Sequence, residues 1–299
     1  MRCQIGGEEA IISTSNGTFC REHFLVHFEK EALNTIKRFN LIEKGEKIAV
    51  ANSGGKDSLS LLFFLSKYFK KSNEIISITI DEGIAGYRDK TIETMEKYTK
   101  MLGIKYKIYS YKDFSGMTLD EITKRTDSIP CSICGTFRRY LLNYAAMENK
   151  ADKLATAHNM DDEAESIIMN LIQNNFDNLI RSGPISGVVK DEGFVTKIKP
   201  FIFLSEKETM LYSILNGILA LHTPCPYAEF GIRNQVSKEI KVLEDALPGS
   251  KRKMIEKAIE LKARFKDSEQ KKINHCKICG APASGEICGV CSIKMMLGQ

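Results

Sequence analysis

Six consecutive residues carry the groups that a phosphate-binding turn requires. They are Ser53-Gly54-Gly55-Lys56-Asp57-Ser58. Paired glycines let backbone N–H groups close on an anion at the start of a helix, where the peptide dipoles favour negative charge. Lys56 adds a positive charge, and the two serines add hydroxyl donors. Asp57 would repel a phosphate unless it held a cation, so the sequence predicts a phosphate site assisted by Mg²⁺. A glycine-rich turn without a ligand is the alternative interpretation.

The C-terminal tail has four cysteines with the spacing of a tetrahedral metal site. They form two Cys-x-x-Cys pairs, Cys276 with Cys279 and Cys288 with Cys291. Four thiolates are typical of a structural Zn²⁺ site, and a ribbon this small would not fold without its metal. The tail therefore predicts a zinc ribbon rather than free thiols or disulfides.

The N-terminal segment carries an incomplete set of the same ligand types, Cys3, Cys20 and His23. Cys20 and His23 have Cys-x-x-His spacing, but a closed structural site needs four ligands. Either water or a nearby carboxylate, Glu8 or Glu9, completes a zinc site here, or the site has lost its metal.

A third group of cysteines lies in the middle of the chain. Cys131 and Cys134 follow Pro130, and Cys225 lies between two prolines. Because proline fixes φ and removes an N–H donor, both segments are predicted to be extended rather than helical. Three thiolates suit a metal centre with one open coordination position. The alternative is a redox Cys-x-x-Cys pair with an unrelated buried Cys225.

The elements that must position these groups alternate between strands and helices. A first helix is predicted over 27–41, and strands over 46–52, 75–81, 104–109, 153–157 and 195–200. Such alternation predicts an α/β, Rossmann-like fold: a parallel sheet with helices on both faces and ligands at the carboxyl ends of the strands. The segment Arg181 to Gly193 is predicted to be a loop or hairpin before the last strand. Asp162 follows the fourth strand and is either a Mg²⁺ ligand or a charge at a helix N-terminus.

Composition agrees with a globular protein. Of the 299 residues, 43% are hydrophobic and 27% charged. No run approaches the about 18 apolar residues of a membrane span, and no apolar leader follows Met1, so we expect a cytoplasmic protein without membrane contact. Residues 251–272 hold nine Lys or Arg against four Asp or Glu, a surplus that equals the net charge of +5. This amphipathic segment is either a solvated helix face or a surface for RNA phosphates.

Four stretches together resemble the TtcA/TtuA-type tRNA thiolases, a family within the PP-loop ATPases. They are 53–58, 81–89, 131–139 and 155–163. The position of Cys225 and the cysteines at both ends also match, so the resemblance covers nearly the whole chain. The motifs at 81–89 and 134–139 are more similar to the archaeal and eukaryotic wobble-uridine enzymes (NcsA-like) than to the thymine-loop enzymes. The chain departs from the family pattern at Gly6, where a cysteine is usual, and at Ala157, where glycine is common.

The resemblance implies a tRNA-uridine 2-sulfurtransferase that uses ATP and Mg²⁺ to adenylate a uridine at O2 before sulfur transfer. It implies that Lys56 binds the β-phosphate side and Arg138 the α-phosphate, and that Asp57 and Asp162 bind Mg²⁺. Backbone groups of Ala51, Ile80 and Ala157 would border the nucleotide together with the turn. Cys131, Cys134 and Cys225 would hold a 4Fe–4S cluster with one iron free of protein. The alternatives are a thymine-loop uridine thiolase, or a persulfide on Cys225 or Cys131 without a cluster.

The resemblance also implies the domain organisation of the chain and its binding partners. We predict a zinc-finger-like module at 1–25, a PP-loop ATPase domain at 26–230, a basic helical segment at 231–272 and a zinc ribbon at 273–299. Expected partners are tRNA, a sulfur donor (sulfide, a desulfurase or a ubiquitin-like carrier) and a second copy in a homodimer. Two other hypotheses are a zinc-ribbon RNA-binding subunit with a relic nucleotide site, and an amide- or lysidine-forming enzyme. The latter would leave the three central cysteines without a role.

Overall fold

The computed structural model describes residues 1–186, 193–218, 220–221, 224–228, 232–265 and 274–298. Its strands are β1 (Ile12–Thr14), β2 (Gly17–Phe19), β3 (Lys47–Ala51), β4 (Glu74–Asp81), β5 (Lys105–Ser110), β6 (Lys153–Ala155), β7 (Ile185–Ser186), β8 (Thr196–Ile198), β9 (Asn274–His275) and β10 (Pro282–Ala283). Its helices are α1 (Arg21–Arg38), α2 (Lys56–Phe69), α3 (Arg88–Met101), α4 (Tyr111–Ser115), α5 (Leu119–Thr123), α6 (Pro130–Glu148), α7 (Met160–Ile172), α8 (Phe176–Ile180), α9 (Glu206–Leu215), α10 (Arg233–Ala246), α11 (Ser250–Arg264) and α12 (Gly289–Met296). Within these ranges, no helix has the length and apolar character needed to cross a bilayer.

A six-stranded sheet in the order β5-β4-β3-β6-β8-β7 forms the centre of the chain. All neighbours are parallel except β7 and β8, which pair antiparallel. The predicted fold class and all five predicted strands are confirmed. The prediction of a loop or hairpin before the last strand is confirmed for β7, while residues 187–192 lie outside the described residues.

The strand order reverses at β3, and this creates a crevice. From β3 the chain adds β4 and β5 on one side, and then returns to place β6 on the other. The connections that leave β3 and β6 therefore run in opposite directions, which is where open α/β sheets bind ligands. The Ser53–Ser58 turn follows β3, and the segment from Thr156 to Asp162 follows β6, so both predicted nucleotide segments border this crevice.

Both faces of the sheet are buried, as its parallel strands require. Along β3, Ile48 and Val50 contribute to one apolar cluster, whereas Ala49 points into the other. The first cluster includes side chains of α1 and α2. The second includes Ile133 and Phe137 of α6. Helix α1 begins at Arg21, six residues before the predicted start, directly after the extended residue Cys20.

The segment after Pro130 is helical, so the prediction that Cys131 and Cys134 lie in extended chain was wrong. Pro130 occupies the first turn of α6. Proline is tolerated there because the first N–H groups of a helix have no partner within the helix. Cys131 and Cys134 are thereby placed three residues apart on one helical face. Cys225 lies outside regular secondary structure, as predicted.

The basic segment forms α11, but its charges are not equivalent. Lys251 is buried, and its Nζ lies 2.5 Å from Oδ1 of Asp161 on α7. Arg252 is paired with Glu31, at 2.8 Å, and with Glu256. Lys251 therefore fits neither predicted alternative, a solvated helix face or a surface for RNA phosphates, since charge counting does not show which lysine has a buried partner. Residues 266–272 of the predicted segment lie outside the described residues.

Candidate active site

The turn after β3 is held in shape by Asn52, the residue just before it. The buried Asn52 accepts, through Oδ1, from the backbone N–H of Gly54 at 3.0 Å and from the Ser58 hydroxyl at 3.1 Å. Its Nδ2 donates to Ser77 Oγ on β4 at 3.1 Å. The sequence analysis did not single out Asn52, because the recognised motif starts one residue later.

Gly54 has no room for a side chain. Its φ is +81°, and an added Cβ would lie 2.2 Å from the carbonyl oxygen of Thr91 on α3. Gly55 then provides the N-cap of α2 with an extended backbone. Because glycine has no side chain to cap a helix, the first N–H groups of α2 remain available to an anion.

Lys56 is held by two carboxylates. Its Nζ lies 2.9 Å from Asp57 Oδ2 and 3.2 Å from Oε1 of Glu206, at the start of α9. Burial lowers the pKa of Lys56, but the two carboxylates together raise it above its ordinary value. The lysine is therefore positively charged at neutral pH, as phosphate binding requires. Glu206 was not anticipated from sequence, because it is 150 residues away along the chain.

Asp57 has a buried oxygen that fits a cation. Its Oδ1 has no hydrogen-bond partner among the described residues. Burial raises the pKa of Asp57 against the lowering effect of Lys56, and the charges of Asp162 and Glu206 raise it further. A divalent cation would satisfy this oxygen and offset the repulsion between carboxylates, and Mg²⁺ prefers such ligands. Asp57 therefore fits the predicted ion.

Asp162 caps the helix that follows β6. Its Oδ2 accepts from the backbone N–H of Asn159 at 3.1 Å, and Asn159 Oδ1 accepts from the N–H of Asp162 at the same distance. Its Oδ1 lies 3.3 Å from Nη1 of Arg233. The capping interpretation is confirmed, and the role of Asp162 in binding Mg²⁺ stays a prediction.

A buried arginine of the 81–89 stretch ties the phosphate turn to β4. Arg88 is 3% exposed; its Nη1 donates to the Ser53 carbonyl at 2.8 Å, and its Nη2 donates to the Ile80 carbonyl. Its Nε lies 2.6 Å from Glu82 Oε2. The guanidinium of Arg88 thus binds the carbonyls of two predicted nucleotide-site residues, Ser53 and Ile80. The nucleotide contacts of Ile80, Ala51 and Ala157 stay predictions.

The three central cysteines lie on two segments that meet. Cys131 Sγ is 3.1 Å from the carbonyl oxygen of Tyr227, which brings the Cys225 segment against the start of α6. Cys225 is within electrostatic range of both Cys131 and Cys134. Burial raises the pKa of both Cys134 and Cys225, while Arg138 lowers both. The structure therefore brings the segments that carry the three cysteines together, and a shared metal centre stays a prediction.

The three central cysteines are arranged differently from the two terminal sets. Within the described ranges, only the two terminal sets bring three or more ligand atoms within 4.8 Å of one another. A four-iron cluster joins each cysteine to a different iron and so holds their sulfurs farther apart than one ion does. Cys131, Cys134 and Cys225 offer three thiols on two adjoining segments, and a 4Fe–4S cluster held by them stays a prediction.

Glu82 connects the cysteines to the phosphate turn. One of its oxygens faces Arg88, and the other lies 3.8 Å from Nη1 of Arg138. Arg138 is in turn within electrostatic range of Cys134. The two arginines share one buried carboxylate, so Arg138 lies between the turn and the thiols. Its contact with the α-phosphate stays a prediction.

Comparisons with known proteins agree with this geometry. A family model described as the PP-loop domain matches residues 25–198. A Pyrococcus horikoshii protein named tRNA-5-methyluridine(54) 2-sulfurtransferase is 34% identical over 97% of this chain and 93% of its own. The cytoplasmic tRNA 2-thiolation protein 1 of Chlamydomonas reinhardtii is 35% identical over 91% of this chain and 77% of its own.

A solved structure matches the whole chain. The U34-tRNA thiolase NcsA from Methanococcus maripaludis, with its 4Fe–4S cluster, matches with a TM-score of 0.86 and 34% identity. The match covers 100% of this chain and 97% of that chain. The chain belongs to the PP-loop family of tRNA thiolases. The resemblance inferred from its motifs is confirmed.

The C-terminal ribbon of this tRNA thiolase has four cysteines arranged to bind one metal ion. The sulfurs of Cys276, Cys279, Cys288 and Cys291 all lie within 4.8 Å of one another. The N–H groups of Cys288 and Cys291 point at the sulfurs of Cys276 and Cys288, at 3.3 and 3.4 Å. Backbone N–H groups, that of Cys288 first, lower the pKa of Cys276 to about 6, which favours the thiolate that zinc binds. The arrangement fits the predicted ribbon, and its zinc stays a prediction.

The ribbon of this family member packs directly on α6. Three of its cysteines share an apolar cluster with Ile133 and Phe137. A Cβ added to Gly289 would lie 2.9 Å from Cγ2 of Thr136. Lys294 Nζ donates to the Phe114 carbonyl at 2.9 Å. The ribbon therefore supports the helix that carries Cys131 and Cys134. The domain boundaries proposed from the sequence stay predictions.

We expect Arg88→Ala to weaken ATP binding at least about tenfold, because it frees the Ser53 carbonyl and leaves the Glu82 carboxylate buried without its partner. Calorimetric titration with ATP, combined with thermal unfolding, would measure both effects. Lys97→Ala on the exposed side of α3 removes another ion pair, with Glu93, and serves as the control. Unchanged ATP affinity in Arg88→Ala would show that the turn does not depend on this anchor.

Proposed function

We propose that this protein is a tRNA-uridine 2-sulfurtransferase that adenylates a wobble uridine with ATP and then replaces its O2 atom by sulfur. One observation carries the proposal: a phosphate turn with an unsatisfied buried Asp57 oxygen is joined through Glu82 and Arg138 to three convergent cysteines. Activation by a nucleotide and delivery of sulfur need these two sites side by side. The names of the relatives support the same reaction class.

In the first step, the uridine O2 atom attacks the α-phosphorus of ATP, and the bond to the β-phosphate oxygen breaks. Pyrophosphate leaves, and the base carries AMP on O2. The free N–H groups at the start of α2 and the Lys56 ammonium stabilise the charge that builds on pyrophosphate. Asp57 and Asp162 would hold the Mg²⁺ that neutralises this charge further.

In the second step, a sulfur nucleophile attacks C2 of the adenylated base, the C2–O2 bond breaks, and AMP leaves with the oxygen. When bound by Cys131, Cys134 and Cys225, a 4Fe–4S cluster would supply an iron position open to sulfide. Arg138 would neutralise the departing AMP phosphate, and its position near Glu82 and Cys134 supports this role. Cys134 and Cys225 are partly buried, which limits the contact of these thiols with bulk water.

We further infer a cytoplasmic homodimer that receives sulfur from sulfide, a desulfurase or a ubiquitin-like carrier. The motifs at 81–89 and 134–139 and the match to a U34 enzyme support the wobble position. Nucleoside mass spectrometry of tRNA from a deletion strain tests it. Loss of 2-thiouridine at position 34 is expected, and rescue by the gene is the control. Loss confined to position 54 would identify the thymine-loop reaction instead, and unchanged thiolation at both positions would refute the proposal.

We predict that anaerobically purified protein is brown and contains about four irons per chain, the content of one four-iron cluster. Cys225→Ser should lose most of this iron, whereas Cys3→Ser should retain it because Cys3 belongs to the N-terminal set. Iron analysis and the visible absorption spectrum measure the outcome. A colourless, fully active anaerobic preparation would contradict the cluster and favour a persulfide on Cys225 or Cys131.

A further inference from the structure

We infer that the N-terminal module is a zinc site whose fourth ligand is Glu8, a carboxylate that takes the place of a cysteine side chain at position 6. The inference does not depend on the proposed reaction, because it rests on the ligand geometry of residues 3–23.

Four ligand atoms of three chemical kinds converge in this module. They belong to Cys3, Glu8, Cys20 and His23, and all lie within 4.8 Å of one another. His23 Nδ1 is central to the set: it lies 3.4 Å from Cys3 Sγ, 3.1 Å from Cys20 Sγ and 3.8 Å from Glu8 Oε2. Zn²⁺ accepts sulfur, nitrogen and oxygen ligands in a four-coordinate site.

The space beside Gly6 shows why Glu8 completes the set. A Cβ added to Gly6 would lie 2.4 Å from Glu8 Oε2 and 2.7 Å from His23 Cε1. The Glu8 carboxylate therefore fills the volume that a cysteine side chain at position 6 would enter. A thiol at position 6 and the carboxylate of Glu8 exclude each other, so Glu8 replaces a ligand and does not add a fifth one.

The backbone holds Glu8 in this position. The N–H of Cys3 donates to the Glu8 carbonyl at 2.7 Å, and the N–H of Gly7 donates to the Cys3 carbonyl at 3.0 Å. Gly7 has a φ of +75°, a conformation that glycine adopts at no steric cost. The chain thus turns back on itself between residues 3 and 8 and returns Glu8 to the two thiols. Glu9, the other carboxylate considered from sequence, is not among these ligand atoms.

The charge of the set also suits Zn²⁺. Two thiolates and one carboxylate carry the same total charge as the three thiolates of a Cys₃His site. The Glu8 side chain is 61% exposed, whereas Cys3 and Cys20 are buried. One ligand of this site is therefore an exposed carboxylate, whereas all four ligands of the ribbon are thiolates, which bind Zn²⁺ more tightly. This zinc should leave faster than the ion in the ribbon.

Zinc analysis of the full-length protein tests the inference. We expect about two zinc ions per chain in the unaltered protein, one in each terminal module. A Cys288→Ser variant should keep one, and this remaining ion reports on the N-terminal site. Release of zinc to a chelator, followed with a colorimetric dye, should show one fast and one slow ion.

Substitutions at two neighbouring glutamates identify the ligand. In the Cys288→Ser background, Glu8→Ala should release the remaining zinc several-fold faster, whereas Glu9→Ala should release it at the unaltered rate. The double substitution Gly6→Cys with Glu8→Ala should restore slow release, because the thiol can use the vacated space once the His23 ring moves away from the new Cβ. Equal release rates for Glu8→Ala and Glu9→Ala, or no zinc in the Cys288→Ser protein, would overturn the inference. Replacement by Co²⁺ gives a second readout, since the visible spectrum should change with Glu8→Ala only.

Discussion

An Asp57→Ala variant is expected to thiolate tRNA at least about a thousandfold more slowly than the unaltered protein, while it binds tRNA with an affinity within a few-fold. The buried Oδ1 of Asp57 has no partner within the described ranges, and we propose that it holds the cation that neutralises the leaving pyrophosphate. Single-turnover formation of 2-thiouridine measures the first effect. Exchange of labelled pyrophosphate into ATP shows whether the adenylation step is the one lost.

Asp113→Asn provides the matched control, because Asp113 is an exposed aspartate in the first turn of another helix, α4. Asp113→Asn should leave the rate of 2-thiouridine formation and the rate of pyrophosphate exchange unchanged. If Asp57→Ala abolished tRNA binding instead, the turn would have a structural role in RNA recognition, and the assignment of Asp57 to the cation would be wrong.

The second large effect is expected from Lys251→Ala, which should lower the free energy of unfolding by about 3–5 kcal/mol. The substitution leaves Asp161 buried with an uncompensated charge, and breaking a buried ion pair in this way has costs of that size. Asp161 Oδ2 also accepts from the backbone N–H of Glu206, at 2.7 Å. Glu206 in turn pairs with Lys56, so ATP affinity should fall together with stability.

Lys253→Ala, two residues along the same helix, is the control for Lys251→Ala. Lys253 is exposed, so its loss should change stability by no more than about 0.5 kcal/mol. If Lys253 contacts one RNA phosphate, its loss should reduce the slope of log affinity against log salt by about one. Denaturant titrations and tRNA binding at several salt concentrations measure both quantities. Equal stability of the two variants would contradict the buried ion pair.

The parts of the site that were predictable from sequence are those encoded locally. The order of residues from Ser53 to Ser58 specifies a turn because paired glycines, a lysine and a helix start are adjacent in the chain. The sheet was predictable because short apolar runs alternate with longer amphipathic ones. Pro130 led to the wrong prediction of extended chain at Cys131 and Cys134. Proline interrupts a helix in its interior but is tolerated in its first turn, and the neighbouring residues do not show which case applies.

The parts that were missed depend on partners distant in sequence. Arg88 is notable only once the carbonyls of Ser53 and Ile80 are known to face it. Glu206 gains its role from Lys56, and Lys251 from Asp161, which precedes it by 90 residues. A single sequence shows the charge of such residues but not the element against which each one packs.

The close packing of the ribbon on α6 limits how this protein can exchange parts with its relatives. The space between Gly289 and Thr136 leaves no room for a side chain at position 289 unless residue 136 becomes smaller. A ribbon transplanted from another enzyme would therefore have to bring glycine at this position or be accompanied by a compensating change in the helix. The two segments, 153 residues apart, are expected to change together as the lineage diverges.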